Sequence, residues 1–472
     1  MYLIKSLAVL IRVSLISAIV CACAPVGPDY QKPEIQLPSR WRINDLPTLT
    51  QQSDAGQLTR WWLSFNDPLL AELITLAAKQ NWDVQQAQAR VREARAKNRL
   101  AKAQLFPALT GNAGVSQTES SREAGLGTTT ELFSNSIDAS WELDIFGKKR
   151  RDIESKTATQ QAADEDLRDV LVSLYAEIAL SYVELRSYQA RLATTESNAA
   201  AQQETYQLTE WRYQAGLTTQ LDVEQAKFNK ESTQSDLPSL REGLIKAQQA
   251  LAVLVGLQPQ ALMQKLAQKQ PIPVVSKSIA FGIPADILRQ RPDVRKAERQ
   301  LAAQTAQIGV AKAAKYPNLN LTGSLGLEAL ALGSLYTAGA KMFQITAASA
   351  WTLLDAGRIQ SNIDVQQALQ EQALGVYQAA VLTGLKEVEQ ALTAFQQEQD
   401  RIVLLRLAVS TGRDALELAQ FQYQSGINDF QPVLTAQKSL LTMQINLIAS
   451  EAKLASDAIR LYKALGGGWT NV

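Results

Sequence analysis

Two distant stretches of this chain carry the same turn. Tyr213-Gln-Ala-Gly216-Leu-Thr-Thr-Gln-Leu-Asp222 is echoed by Tyr423-Gln-Ser-Gly426-Ile-Asn-Asp429-Phe-Gln-Pro432, 210 positions later. Each stretch ends a long helical run and starts a returning one, so each reads as a hairpin tip (213–222 and 423–432). The same offset relates Trp82-Asp-Val84 to Pro292-Asp-Val294, Phe106-Pro107 to Tyr316-Pro317, Trp141 to Trp351, Gly147 to Gly357 and Leu254-Val-Gly256 to Ala464-Leu-Gly466. A constant spacing over this span requires two copies with one order of elements, and any unit that one half forms must suit the other. The chain accordingly divides into a first repeat at 67–256, a linker at 257–283, a second repeat at 284–466 and a tail at 467–472.

The start of the chain is a processing signal, residues 1–22. Lys5 and Arg12 precede an apolar run from Val13 to Val20 that is too short to span a bilayer as a helix. The only cysteines, Cys21 and Cys23, follow it. Val20-Cys-Ala22-Cys23 resembles a bacterial lipobox, with the small Ala22 ahead of Cys23 as the residue to be acylated. Cys21 stands at a position where that motif does not require cysteine. The alternative is plain signal cleavage with a free thiol. With Ala24 and no Asp after Cys23, the resemblance implies sorting to the outer membrane; one acyl chain anchors only weakly.

Composition removes most enzyme chemistry. There is no histidine, so the commonest metal ligand and general base are missing. Processing leaves no cysteine pair, and the four methionines are scattered. No nucleophile elbow, phosphate loop or dinucleotide fingerprint is present. A formal net charge of +1 calls for no nucleic acid. No cofactor or metal is implied, and the chain reads as a non-enzyme.

Residues 23–66 hold the lipid anchor and an extended, proline- and tryptophan-rich strap, with Trp41, Trp61 and Trp62 as packing anchors. Val26-Gly-Pro-Asp-Tyr30-Gln-Lys-Pro33 and Trp61-Trp62-x-x-Phe65-x-Asp67-Pro68-Leu69 resemble the mature start of the TolC/OprM family of outer-membrane efflux factors. Arg291-Pro-Asp-Val294, Tyr316-Pro317 and Ala464-Leu-Gly-Gly-Gly-Trp469 continue the likeness, closest to its lipidated drug-efflux branch, over the whole mature chain.

The residues themselves specify helices and strands in alternation. From Leu69 to Gln104 helix formers dominate without a breaker until Pro107. Period-two patterns then define strands at 107–118 and 132–146, with Phe133, Ile137, Ala139, Trp141, Leu143 and Ile145 on one parity. The second repeat places strands at 317–328 and 341–355. Such strands, apolar on one face and polar on the other, suit a transmembrane β-barrel with a wet lumen. A soluble sheet would explain the alternation equally well, but the long flanking helices offer no layer to cover it. Trp141 and Trp351 stand where a membrane-interface girdle would sit. Four strands cannot close in a membrane, so oligomerisation is required. The residues leave the copy number open; the resemblance implies a homotrimer with a 12-stranded barrel. The fold class is therefore mainly α with a transmembrane β-barrel portion.

Downstream of each strand pair, apolar positions at Leu167, Leu171, Leu174, Ile178, Tyr182 and Leu185, and at Val381, Leu385, Val388, Leu392 and Phe395, recur in steps of three and four. The runs reach nearly 100 Å at about 1.5 Å per residue. The resemblance implies that they build a periplasmic α-barrel, belted by the linker, strap and C-terminal end.

At the tips, Gly216 and Gly426 fit a positive-φ turn. Thr219 with Asp222 forms a capping box, Asp429 is expected to cap the second returning helix, and Pro432 fits its first turn. The resemblance implies that Ala215, Gly216, Leu217 and Thr218, with Ser425, Gly426, Ile427 and Asn428, dock against a periplasmic adaptor. Asp222 and Asp429 are the candidate periplasmic gate, with Asp222 the stronger. The implied function is a passive export duct for drugs or other small molecules, working with an adaptor, an inner-membrane pump and outer-membrane lipids. The alternatives are a duct for type I protein secretion and, from another class, a trimeric coiled-coil adhesin or fibre.

Overall fold

The computed structural model describes residues 25–34, 58–274 and 285–469. The signal 1–22, Cys21, Cys23, Trp41 and the last part of the linker lie outside the described residues. The described chain forms two compact units.

Among the described residues, the first unit comprises 25–34, Arg90–Asp164 and Lys296–Gln378. Its centre is a four-stranded antiparallel sheet of β1 (Ala108–Glu119), β2 (Thr129–Leu143), β3 (Asn318–Ala329) and β4 (Lys341–Ala350), in that order. Each repeat supplies one hairpin, and β2 pairs with β3 across the repeats through Ile137 opposite Leu325 and Trp141 opposite Leu321. The period-two pattern therefore becomes two faces. One carries the rows Gly111, Ile137, Leu325, Phe343 and Leu109, Ala139, Gly323, Ile345; the other carries Thr110, Asp138, Ser324, Gln344.

β2 and β4 stop earlier than the alternation suggested, at Leu143 and Ala350 instead of 146 and 355. Carboxylates end them. Asp144 accepts hydrogen bonds from the backbone N–H groups of Lys149 and Arg150 (2.9 and 3.0 Å), and Asp355 does the same for Gly357 and Ile359 (3.0 and 2.7 Å). Both acids satisfy orphan donors at a helix start, which turns the chain out of the sheet. Each strand is thereby converted into a long helix within five to eight residues.

Among the described residues, the second unit comprises 58–89, 165–274, 285–295 and 379–469. It holds α1 (Pro68–Gln80), most of α3 (Lys148–Gln214), α4 (Gln220–Val255), the greater part of α6 (Arg358–Gln424) and all of α7 (Gln431–Ala464); α2 (Trp82–Ala103) and α5 (Pro292–Ala313) divide between the units. The apolar stripe becomes its core: Leu174, Ile178, Tyr182 and Leu185 of α3 and Val388 and Phe395 of α6 are buried with Trp61, Leu70, Leu251 and Ile459. Trp61 stacks on Tyr462 with ring centroids 5.3 Å apart, tying the end of the strap to the last helix.

One expectation is corrected here. The run from Leu69 to Gln104 is two helices, broken at Asn81. The buried Asn81 amide donates to the Leu254 carbonyl (2.8 Å), and its Oδ1 accepts from the N–H groups of Asp83 and Val84 (2.8 and 3.1 Å). Asn81 thus caps α2 while holding the C-terminal end of α4. Its repeat partner is Arg291, whose guanidinium donates to the equivalent carbonyl, Ala464 O, at 2.7 Å.

Candidate functional site

At the first tip, α3 closes with two hydrogen bonds, Leu217 N–H to Arg212 O (2.8 Å) and Gly216 N–H to Tyr213 O (2.9 Å). This is the Schellman closure, and it needs Gly216 at φ +72°. α4 then begins at a complete capping box. Thr219 Oγ1 accepts from Asp222 N–H (3.3 Å), and Asp222 Oδ2 accepts from Thr219 N–H (3.0 Å). The hydroxyls of Thr218 and Thr219 also donate to Oδ2, at 2.6 and 2.8 Å. Partial burial pushes the Asp222 carboxyl up, but these hydrogen bonds outweigh it and hold the group below its usual range.

The second tip repeats the closure and replaces the cap. Ile427 N–H donates to Gln422 O (2.9 Å), Gly426 N–H to Tyr423 O (3.1 Å), and Gly426 takes φ +73°. The expected cap at Asp429 is not there. The residue that precedes α7 is Phe430, without any side-chain cap hydrogen bond, and Pro432 falls in the first turn. Phe430 is fully buried, 5.0 Å from the Tyr423 ring and packed with Ala226 and Val433. Apolar burial of this ring fixes the helix start, leaving Asp429 exposed one position outside it. The two tips also touch: Arg212 lies over the Tyr423 ring at 4.6 Å and donates to Gln424 O at 3.2 Å.

Outward, the tips are uncharged, each with one aliphatic side chain. Leu217 and Ile427 are exposed, as are Ala215, Ser425 and Asn428, while Thr218 is half-buried, and a methyl group added at Gly216 or Gly426 would meet nothing within 4 Å. These positions form a bare surface. Asn428 also braces its own turn, donating from Nδ2 to Gln422 Oε1 (2.7 Å).

In the sheet unit, Leu109, Ile137, Leu325, Phe343 and Ile345 are 60–72 % exposed, all on one face. An apolar patch of this extent on a sheet marks a membrane or partner surface. The opposite face is polar, with Asp138 accepting from Asn112 and Ser324 on the flanking strands. β1 and β4 are open edges. Trp141 and Trp351 are anchored identically: their indole N–H groups donate to Leu105 O (2.8 Å) and Lys315 O (3.0 Å), carbonyls at the same place in the two repeats.

Sequence reasoning missed Arg186. It is wholly buried, donating to Gln268 O and Gln189 Oε1 (both 2.7 Å) and to the Tyr182 hydroxyl (2.7 Å), which donates to Asp67 Oδ2 (2.6 Å). A countercharge is thus relayed through a phenol, and the linker is bolted to α3. Among polar neighbours in a helix of charged residues, nothing in the sequence sets Arg186 apart. Among the described residues no group of acids, histidines or cysteines is arranged to hold a metal ion. No described helix is long and apolar enough to cross a membrane.

Comparison with known proteins gives a consistent result. The family described as "Outer membrane efflux protein" matches residues 73–257 and again 283–467. The two matches are themselves offset by the repeat spacing. The chain is 32 % identical over 457 residues to nodulation protein T of Rhizobium leguminosarum bv. trifolii, covering 95 % of both chains. It is 32 % identical over 447 residues to the cation efflux system protein CusC of Escherichia coli O6:H1, covering 94 % of this chain and 95 % of that one. The solved structure of the outer-membrane channel OprN superposes with a TM-score of 0.89 at 32 % identity, covering 94 % of this chain and all of that one. Duplicated sequence, strand pairs between long helices, and matches to both halves together place the chain in the outer membrane efflux protein family.

Proposed function

We propose that the protein is the outer-membrane duct of a tripartite efflux system, a passive conduit and not an enzyme. The observation that carries this is the sheet. Its apolar face is exposed, its other face is polar, and both of its edges are unpaired. In lipid an open edge leaves backbone N–H and C=O groups unsatisfied, so only closure with further copies makes the sheet tenable. Three copies supply twelve strands, a barrel with a lumen lined by the polar face. The helices α3, α4, α6 and α7 extend into the periplasm, and Cys23 carries the lipid anchor.

Small molecules, drugs among them, enter at the tips from an inner-membrane pump. Docking of a periplasmic adaptor uses Ala215–Thr218 and Ser425–Asn428, all exposed except the half-buried Thr218 and set on closed glycine turns. Both CusC and the toluene efflux pump outer membrane protein TtgF of Pseudomonas putida carry efflux in their names. Of the two candidate gate carboxylates, we place Asp429 at the mouth. Asp222 is engaged in its capping box, so Asp429, exposed and outside α7, is the acid free to narrow the mouth.

The test is single-channel conductance in planar bilayers, together with oligomeric mass. A trimer with small conductance that rises on Asp429→Ala, more than on Asp222→Ala, is the expected result; a folded oligomer without a pore would sink the duct. A bulky substitution, Gly216→Trp with Gly426→Trp, abolishes export in cells while trimers still form. Normal export through such trimers would refute docking at these glycines.

A further inference from the structure

The foot of the sheet carries four cations without acidic partners, two of which the fold itself does not explain. Lys102 lies in the last turn of α2 and Lys312 in the last turn of α5, at equivalent places in the two repeats. Lys148 and Arg358 are the first residues of α3 and α6, again equivalent. Among the described residues none of the four has an acidic partner. The nearby acids are engaged elsewhere: Glu142 with Lys149 (3.7 Å), Asp144 with Arg150 (3.1 Å), Asp355 with the start of α6. Lysine in a last helical turn is favoured by the helix dipole, which accounts for Lys102 and Lys312 without any ligand. A cation at a first helical residue is disfavoured, yet both repeats place one there.

These cations adjoin the end of the apolar face. Leu105 N–H donates to Lys102 O while Leu105 O accepts the Trp141 indole; Lys315 N–H donates to Lys312 O while Lys315 O accepts the Trp351 indole. Lys148 and Arg358 each follow their tryptophan by seven residues. Apolar rows, then a tethered tryptophan, then unpaired cations is the order met on leaving a bilayer through its headgroups. We propose that Lys102, Lys148, Lys312 and Arg358 form a collar that binds the anionic headgroups of phospholipids in the leaflet from which the long helices emerge. This rests on the sheet being membrane-embedded, as argued above. Charge complementarity and continuity with the lipid-facing surface select phospholipid over a protein partner.

The experiment places the full-length protein in nanodiscs made from equimolar phosphatidylglycerol and phosphatidylethanolamine, and counts lipids retained on detergent extraction by mass spectrometry. Phosphatidylglycerol is enriched about five-fold, the factor that roughly one Lys or Arg at an anionic surface supplies, and the enrichment disappears in 1 M salt. The variant with Lys102→Gln, Lys148→Gln, Lys312→Gln and Arg358→Gln retains both lipids equally. Its charge-conserving counterpart, with Lys102→Arg, Lys148→Arg, Lys312→Arg and Arg358→Lys, keeps the enrichment and guards against a folding defect. Equal retention by the wild type, or enrichment that survives the Gln variant, overturns the collar. A protein that never enters the discs overturns the membrane reading itself, a result distinct from insertion without selectivity.

Discussion

At the first tip Thr219 and Asp222 exchange hydrogen bonds to start α4, whereas at the second Phe430 starts α7 by burying its ring against Tyr423. The glycine closures before them are the same, within 0.2 Å in hydrogen-bond length and 1° in φ. Duplication has preserved the backbone and let the side-chain chemistry drift. The same holds at the other end of these helices, where a neutral amide at Asn81 and a guanidinium at Arg291 hold equivalent carbonyls. A shared turn therefore does not predict a shared response to mutation or pH.

The largest break in this equivalence is expected at Arg291. Its guanidinium also pairs with Asp293 and Glu387 (both 2.7 Å), so Arg291→Ala orphans a carbonyl and frees two acids. The orphaned carbonyl dominates, since both acids keep access to solvent (31 % and 44 % exposed), and we predict a loss of about 3 kcal/mol, read as thermal unfolding of the helical signal. Next is Phe430→Ala, at about 3 kcal/mol, confined to the second tip and measured as faster amide exchange in the first turns of α7. An unaltered tip in that variant would mean the ring is not what starts the helix. Asn81→Ala should cost less than Arg291→Ala, about 1–3 kcal/mol, because only neutral hydrogen bonds are lost. If the two variants are equally destabilised, the charge at Arg291 adds nothing to the amide's role.

The glycine turns, the repeat and the two faces of the sheet were legible because each depends on local residue type: a positive φ, a fixed offset, an alternation. What escaped was decided across the chain. Asn81 sits in a run of helix formers and breaks it only because its amide meets Leu254, 173 residues away. Asp429 looks like a cap, being a preferred cap residue, yet the burial of Phe430 sets the helix start. Arg186 reads as a solvated charge on a helix and is in fact enclosed by the linker. Strand ends were overrun because the apolar alternation continues through Ile145 and Leu353, beyond the last paired residues Leu143 and Ala350.

The smallest effect separates the tips by pH. Because the Asp222 carboxyl is held below its usual range in the folded protein, its contribution is full above the unfolded value of about 3.9. That contribution is lost as pH falls through the lower, folded value. Asp222→Ala should therefore weaken the first tip by about 1 kcal/mol at neutral pH, and the difference from wild type should vanish in strong acid. The second tip has no carboxylate cap, so Asp429→Ala should leave its amide exchange unchanged across the same range. Exchange measured at the starts of α4 and α7 over a pH series gives both answers in one experiment. Acid weakening of α7 that depends on Asp429 would restore a cap the structure denies it. Acid-insensitive exchange at α4 would mean that Asp222 is dispensable to its own box, with Thr219 alone sustaining the helix start.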